Sequence, residues 1–415
     1  MSTLTGNTTE PLAGARGRRL PLPLPLAVVA SRLLVLAGAV VGTTVHRVAD
    51  WQLADPQHLT LRLGSLGNVL AAAGVRWDSV HYLAIAEHGY NTPSNTVFFP
   101  LYPALIRVLS WLTGSYVIAG ELISTVAFAA ALILLHRLTR DELGDRVANA
   151  TVLLLAFSPL SLFFTALYTE SLFLALALGV FLLARQGRFG WAGIAATAAT
   201  MTHIEGVLLI APLAIFYWQD RRPVRKRPES VRQALGATAD AASLLSPVLA
   251  LGGFLVYLHS RGFGWLAPSS DQRYYKRHFT GPITGVADGV KAGVSGLAHI
   301  ITGSAGGLTA RQDAFENVVY LVVLVIAVVA LVVAWRQLPK AYAVYSGLCL
   351  LVCVSSPLST APLTSLDRFA LVLFPLWMVA ARWLSRRHLL RLTLAGSSTL
   401  LFVFALQFAR WAFIG

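Results

Sequence analysis

The chain is poor in charge, in lysine and in cysteine. Only 13% of its 415 residues are Asp, Glu, Lys or Arg, while 56% are hydrophobic. Soluble domains carry roughly 25% charged residues, so an ordinary soluble globule is excluded. Lys226, Lys276, Lys291 and Lys340 are the only lysines; almost all positive charge is arginine. The two cysteines, Cys349 and Cys353, lie four apart in one apolar run. They cannot staple an external domain and read as small core residues. Nucleotide and metal signatures are missing as well. There is no Gly-rich phosphate loop followed by Lys-Ser/Thr, no G-x-G-x-x-G, no H-E-x-x-H, no CxxC and no Asp-x-Asp. These absences argue against an ATP-driven pump, a metalloprotease and a metal-bound nucleotide-sugar site. No metal or cofactor is expected. The alternating pattern of an outer-membrane barrel is absent too.

What is present is a succession of apolar runs near the length that crosses a bilayer. The sequence predicts an all-α polytopic membrane protein with about eleven spans. They are placed at 26–45, 116–136, 147–166, 169–184, 190–202, 204–218, 241–259, 316–335, 341–357, 366–384 and 390–410. The first is read as an uncleaved span rather than a signal peptide, because no small-residue cleavage site follows it. Residues 1–25 are then a cytoplasmic tail and 26–415 a single transmembrane domain. Pro21, Pro23 and Pro25 alternate with leucine and suggest an extended lead-in. The 97–113 run, broken by Pro100 and Pro103, is expected to be interfacial or re-entrant.

In a soluble protein the net charge of +14 would suggest nucleic acid. Here cytoplasmic loops, which collect Arg and Lys, account for it, and no nucleic-acid partner is expected. Short segments carry Arg16, Arg18 and Arg19; Arg137, Arg140 and Arg146; Arg185 and Arg188; the 221–232 basic run; Arg336 and Lys340; and Arg382, Arg386, Arg387 and Arg391. One topology puts all of them inside, with the N-terminus cytoplasmic and the C-terminus outside. Arg32, within the first span, is expected to snorkel toward the cytoplasm. Two long loops, 46–115 and 260–315, are expected outside, the second Gly- and Ser-rich. No internal repeat is visible.

Polar residues able to do chemistry then gather on the outer face. Asp78 follows Trp77 at the head of a short helix expected over 79–88, ending at Gly89. On such a helix Asp78, His81, Tyr82 and Ile85 share one side. Asp78 reads equally as a helix N-cap or as a reactive carboxylate. Glu170, in Tyr168-Thr169-Glu170-Ser171, sits at a tight hairpin; the bland reading is interfacial anchoring, with Tyr168 in an aromatic belt. His203 and Glu205 lie between two spans. Gln272 and Arg277 fall in the late loop, and Asp367-Arg368 opens the tenth span. An arginine held at a membrane surface is a natural partner for a lipid phosphate. Glu121 lies early in the second span, while Asp145 and Arg146 look structural.

Several blocks resemble the PIG-V family of mannosyltransferases, which add the second mannose to GPI anchors, and its bacterial relatives. They are Arg76-Trp77-Asp78-Ser79 with His81-Tyr82 and Gly89-Tyr90, and Phe98-Phe99-Pro100-Leu101-Tyr102-Pro103. Ser158-Pro159 with Tyr168-Thr169-Glu170-Ser171-Leu172-Phe173 follows, then Thr202-His203-Ile204-Glu205-Gly206 and Arg368-Phe369 with Phe374-Pro375. The resemblance spans roughly residues 25–385. It departs at His203, where arginine is commoner, and at Trp265-Leu266-Ala267-Pro268, which stands where an acidic Gly-Asp-Pro stretch is expected.

The resemblance implies a GT-C glycosyltransferase fold and inverting transfer of mannose from polyprenyl-phosphate mannose. The acceptor would be a glycolipid, a lipoglycan or a protein at the external face of the cell membrane. It implies that Asp78 is the essential aspartate, and the chemistry makes it the general base for the acceptor hydroxyl. Trp77, His81, Tyr82, Tyr168, Glu170, His203, Glu205, Gln272, Arg277 and Arg368 would bind substrate. Trp77, Tyr82 and Tyr90 are candidates to stack on sugar faces. The alternative from another class is a transporter or flippase of a lipid-linked sugar, against which the lack of internal symmetry counts.

Overall fold

A computed structural model describes residues 23–45, 54–221, 240, 242–304 and 307–414. The basic residues of the N-terminal tail and nearly all of the 221–232 run lie outside these, as does Pro21. Every extended element among the described residues is helical, and the only β pairing is a single bridge between Arg277 and Leu358. Four helices are long and apolar enough to cross a membrane: Leu24–Thr44, Tyr116–Leu143, Ala310–Gln337 and Leu390–Ala409. The chain is an all-α multi-pass membrane protein.

The first and last of these helices pack together. A Cβ on Gly38 would lie 2.5 Å from the Phe402 carbonyl oxygen, and one on Gly42 2.3 Å from that of Leu406. Four-residue spacing of small residues lets two backbones approach this closely in lipid. Outward-facing side chains such as Leu26, Val29, Val325 and Ile326 stay exposed, as lipid contact requires. The core lies between helices Tyr116–Leu143, Glu170–Arg185, Phe189–Thr202 and Lys340–Val354, around Phe128, Phe164, Phe181 and Tyr345.

Four expectations about the helical elements need correction. The span placed at 147–166 is a helix only over Asp145–Ala156. Pro159 cannot supply a helical N–H, and the chain continues through turns to Glu170. The span placed at 366–384 is two arms, Leu366–Val372 and Phe374–Arg386, bent by 86°. Pro375, in the first turn of the second arm, has no N–H to donate back to the first arm, so the helix breaks at Leu373. The proline lead-in is not extended at its end, because the first helix begins at Pro23, where a proline in the opening turn is tolerated. The late loop is not loose either: Pro282–Thr302 is a 21-residue helix. Its buried Gly285, Gly289, Gly293 and Gly296 fit tightly against neighbouring segments. A Cβ on Gly289 would meet Leu363 at 2.5 Å, and one on Gly293 would meet Leu321 at 2.6 Å.

Arg32 does not snorkel. Its guanidinium donates to the carbonyls of Ser161 at 2.7 Å and Ala156 at 3.3 Å, to the Thr165 hydroxyl at 3.1 Å and to the Ser161 hydroxyl. It also lies 4.4 Å from the Phe128 ring centroid. Helix Asp145–Ala156 ends there, and a cation among its freed carbonyls satisfies both their lone pairs and the helix dipole.

Candidate active site

Helix Asp78–His88 carries the motif, and it starts from a strained residue. Trp77 precedes it with φ 54° and ψ −115°, a conformation that costs on the order of 1–3 kcal/mol for a non-glycine residue. The chain's last residues hold it there. Trp77 Nε1 donates to the Ala412 carbonyl at 3.2 Å, and its ring meets Trp411 and Phe413 edge-on. Buried Arg76 donates to the Ala409 carbonyl at 3.2 Å and lies over the Trp411 ring. The N-cap reading of Asp78 fails: it is the first helical residue, and no side-chain cap bond forms.

The Asp78 carboxylate instead accepts a hydrogen bond from Arg368 Nη1 at 2.8 Å. Arg368 Nε lies 3.5 Å from Glu170 Oε1. One guanidinium thus faces two carboxylates, with Phe163, Tyr168 and Phe369 ring centroids 5.2–5.6 Å from it. The side chains are 26% exposed for Asp78, 12% for Arg368 and 6% for Glu170, so Asp78 is the member that faces open space. The bland reading of the hairpin is overturned, because Glu170 and Tyr168 are both buried. The Tyr168 hydroxyl accepts from the Asp78 N–H and donates to the Arg76 carbonyl, both at 3.2 Å. Glu170 Oε2 is buried and makes no hydrogen bond.

His203 and Glu205 form a close ion pair behind this group. The His203 ring stands between Phe173 and Phe369, 5.7 Å from each. Glu170, His203 and Glu205 line one narrow cavity of about 10 Å³ with Cys349, Cys353 and Phe369, room for about one water. Gly206 makes the placement possible, since a Cβ there would lie 2.2 Å from the Thr200 nitrogen.

Other expected binders stand elsewhere. His81 Nδ1 bonds Asn95 Oδ1 at 2.9 Å, its ring stacks on Phe98, and its Nε2 meets the Tyr275 hydroxyl at 3.1 Å. Tyr275 also donates to the Ser94 carbonyl at 3.0 Å. Burial and the Asp78 charge raise the Tyr275 hydroxyl far above its usual range, so it stays a donor. Thr96 donates to buried Asp271 at 3.0 Å, and the late loop is thereby clasped onto the motif. The sequence reading gave no role to Tyr275, Asp271, Asn95 or the Trp411 tail; an aromatic tail directly after the last span was the available signal.

Tyr82 and Tyr90 are too buried to stack on a sugar; their hydroxyls meet Thr169 at 3.3 Å and the Phe98 carbonyl at 2.7 Å. Trp77 is held in the tail contacts above. Arg277 donates to the carbonyls of Thr364 at 2.8 Å and Ser356 at 3.3 Å, and burial lowers its pKa from the usual value. It braces the segment before Arg368. Gln272 is half-buried, and its carbonyl accepts from the Arg277 N–H at 3.2 Å.

Residues 50–216, which hold Asp78, Glu170, His203 and Glu205, match the family model of the mannosyltransferase PIG-V. The resemblance to the PIG-V mannosyltransferases is thereby shown. GPI alpha-1,6-mannosyltransferase 2 of Cricetulus griseus is 31% identical over 146 residues, 32% of this chain and 30% of that protein. The human protein of the same name is 30% identical over 150 residues, 32% and 29% of the two chains. GPI mannosyltransferase 2 of Cryptococcus neoformans is 27% identical over 154 residues, 34% and 36%. The matched region thus spans about a third of these PIG-V relatives. The crystal structure of ArnT from Cupriavidus metallidurans bound to undecaprenyl phosphate superposes over 93% of this chain and 78% of that one. The TM-score is 0.40 and the identity 13%, and a superposition this loose decides nothing.

Proposed function

We propose that this chain is a membrane mannosyltransferase of the GT-C type. It transfers mannose with inversion from polyprenyl-phosphate mannose to a glycolipid, lipoglycan or protein acceptor at the external face. The observation that carries the reading is the Asp78–Arg368 pair, in which Arg368 meets Asp78 of the first PIG-V-like block and faces Glu170 of the central one. The acceptor hydroxyl oxygen attacks the sugar carbon, the bond to the phosphate oxygen breaks, and the hydroxyl proton passes to Asp78. Asp78 suits this role because its carboxylate is the more exposed of the two and is oriented by the hydrogen bond from Arg368. A positioned base contributes about 10²–10⁴-fold.

Arg368 has five N–H donors, of which one is engaged with Asp78. Nε is buried against Glu170, and the remaining Nη donors can meet the departing phosphate with charge-assisted hydrogen bonds. The same cation then orients the base and receives the leaving group. Glu170 keeps Arg368 in place from the buried side. A phosphate already anionic in the donor is a stable leaving group, so the reaction makes no demand for a metal.

Purified protein in proteoliposomes is expected to transfer labelled mannose from polyprenyl-phosphate mannose, to leave GDP-mannose unused and to retain activity in EDTA. Direct use of GDP-mannose, or reversible loss of turnover on chelation, would overturn the donor assignment. Donor movement across the bilayer without glycosidic bond formation would favour the flippase.

A further inference from the structure

Far from the active site, a second cavity has features that transfer chemistry does not use. Helix Glu170–Arg185 starts in the site and is 16 residues long, so it ends about 24 Å away at 1.5 Å per residue. Its neighbour Tyr116–Leu143 has 28 residues and is about 42 Å long, longer than the ~30 Å hydrocarbon core. Its last turns carry Arg137, Arg140, Asp141 and Glu142, charges that belong at the level of lipid headgroups rather than in hydrocarbon. Between the far ends of these two helices lies a cavity of about 500 Å³.

The cavity is amphipathic along its depth. Arg137, Arg140, Asp141 and Gln186 form its polar part. Arg137 is exposed and has no ion-pair or hydrogen-bond partner among the described residues. Arg140 makes a single 3.4 Å contact with exposed Asp141, a pair that contributes little at a surface. The nearby Arg185 differs, being paired with Glu142. Two arginines against one aspartate leave the rim positive. Deeper in the membrane come Leu134, Leu182 and Gly179. A Cβ on Gly179 would meet nothing within 4 Å, so the apolar floor is an open notch.

A cationic rim above an apolar notch, at headgroup depth, complements an amphiphile with a phosphate head. We propose that this cavity binds an anionic phospholipid, with its phosphate between Arg137 and Arg140 and an acyl chain across Gly179. The site is independent of the reaction proposed above.

The test uses the full chain in mild detergent, titrated with phosphatidylglycerol or phosphatidylcholine of identical acyl chains, with occupancy read by native mass spectrometry. Phosphatidylglycerol is expected to reach half-occupancy at a concentration roughly tenfold lower. The double substitution Arg137→Gln/Arg140→Gln, at one exposed and one half-buried position, should abolish that preference without changing the melting temperature. Gly179→Leu should reduce occupancy by both lipids while leaving the charge intact. Equal occupancy of the two lipids by the unmodified chain, or an unchanged preference in the double variant, would overturn the proposal. So would competition by soluble glycerol phosphate as effective as the lipid, which would mark a plain anion site.

Discussion

Arg368 and Asp78 lie 290 positions apart in sequence, yet their side chains meet at 2.8 Å. The bent span brings Arg368 in on a short arm, and the strained Trp77 sets the start of the helix that presents Asp78. Several tests follow from that meeting and from the groups behind it.

Asp78→Asn preserves shape and removes the proton acceptor. Transfer by purified protein should fall by roughly 10²–10⁴-fold with an unchanged elution profile and near-normal melting. Turnover close to that of the unmodified chain would remove Asp78 from the base role and turn attention to Glu170.

Arg368→Lys keeps the charge but loses the planar fork. The protein should fold, with activity reduced by about tenfold or more. Arg368→Met should be worse in another way, since it leaves buried Glu170 uncompensated; breaking a buried pair costs about 3–5 kcal/mol. Pairing Arg368→Met with Glu170→Leu should restore part of the lost melting temperature, and no recovery in the double variant would argue against this coupling.

Gly206→Ala would place a methyl group where the Thr200 nitrogen leaves no room. Overpacking typically costs about 1–3 kcal/mol, and the shift should move the His203–Glu205 pair behind Arg368. Melting temperature and turnover should fall together. A fully active, equally stable variant would show that the turn can slide without affecting the site.

Tyr275→Phe removes the contacts with His81 and Ser94 but keeps the ring. Amide exchange across residues 264–280 should accelerate, and KM should rise more than kcat falls. Unchanged exchange would mean that the Asp271–Thr96 contact alone clasps the loop.

Sidedness can be read with single cysteines in a Cys349→Ala/Cys353→Ala background. A cysteine at exposed Arg273 should react with an impermeant reagent from outside intact cells, and one at exposed Gln186 should not. The reverse pattern would put the site on the cytoplasmic face.

Much of this was legible in the sequence, because single residues announce themselves. Asp78, Glu170 and Arg368 stood out as charged groups beside apolar runs, and the 79–88 helix ending at Gly89 followed from local pattern. Their convergence did not, since nothing local connects the first block to the tenth span. Arg32 was misread for the same reason: its acceptors lie beyond a break that Pro159 makes in another helix. The Pro282–Thr302 helix was hidden by its glycines, which weaken helix propensity. Close packing on their bare face overrides that weakness.

The pairing of the first and last long helices bears on how the protein is made. Gly38 and Gly42 meet Phe402 and Leu406 more than 350 positions later, and Trp77 leans on Ala412, 335 positions after it. At about 5–20 residues per second, the first helix waits on the order of half a minute for its partner. Arg32 gains its acceptors much sooner, once Ser161 and Thr165 have been synthesised. Biogenesis should therefore proceed in two stages, an early satisfaction of the embedded arginine's N–H donors and a late closure that sets the angle of Trp77. A chain truncated before residue 390 and released from the ribosome should hold every catalytic group and still be inactive.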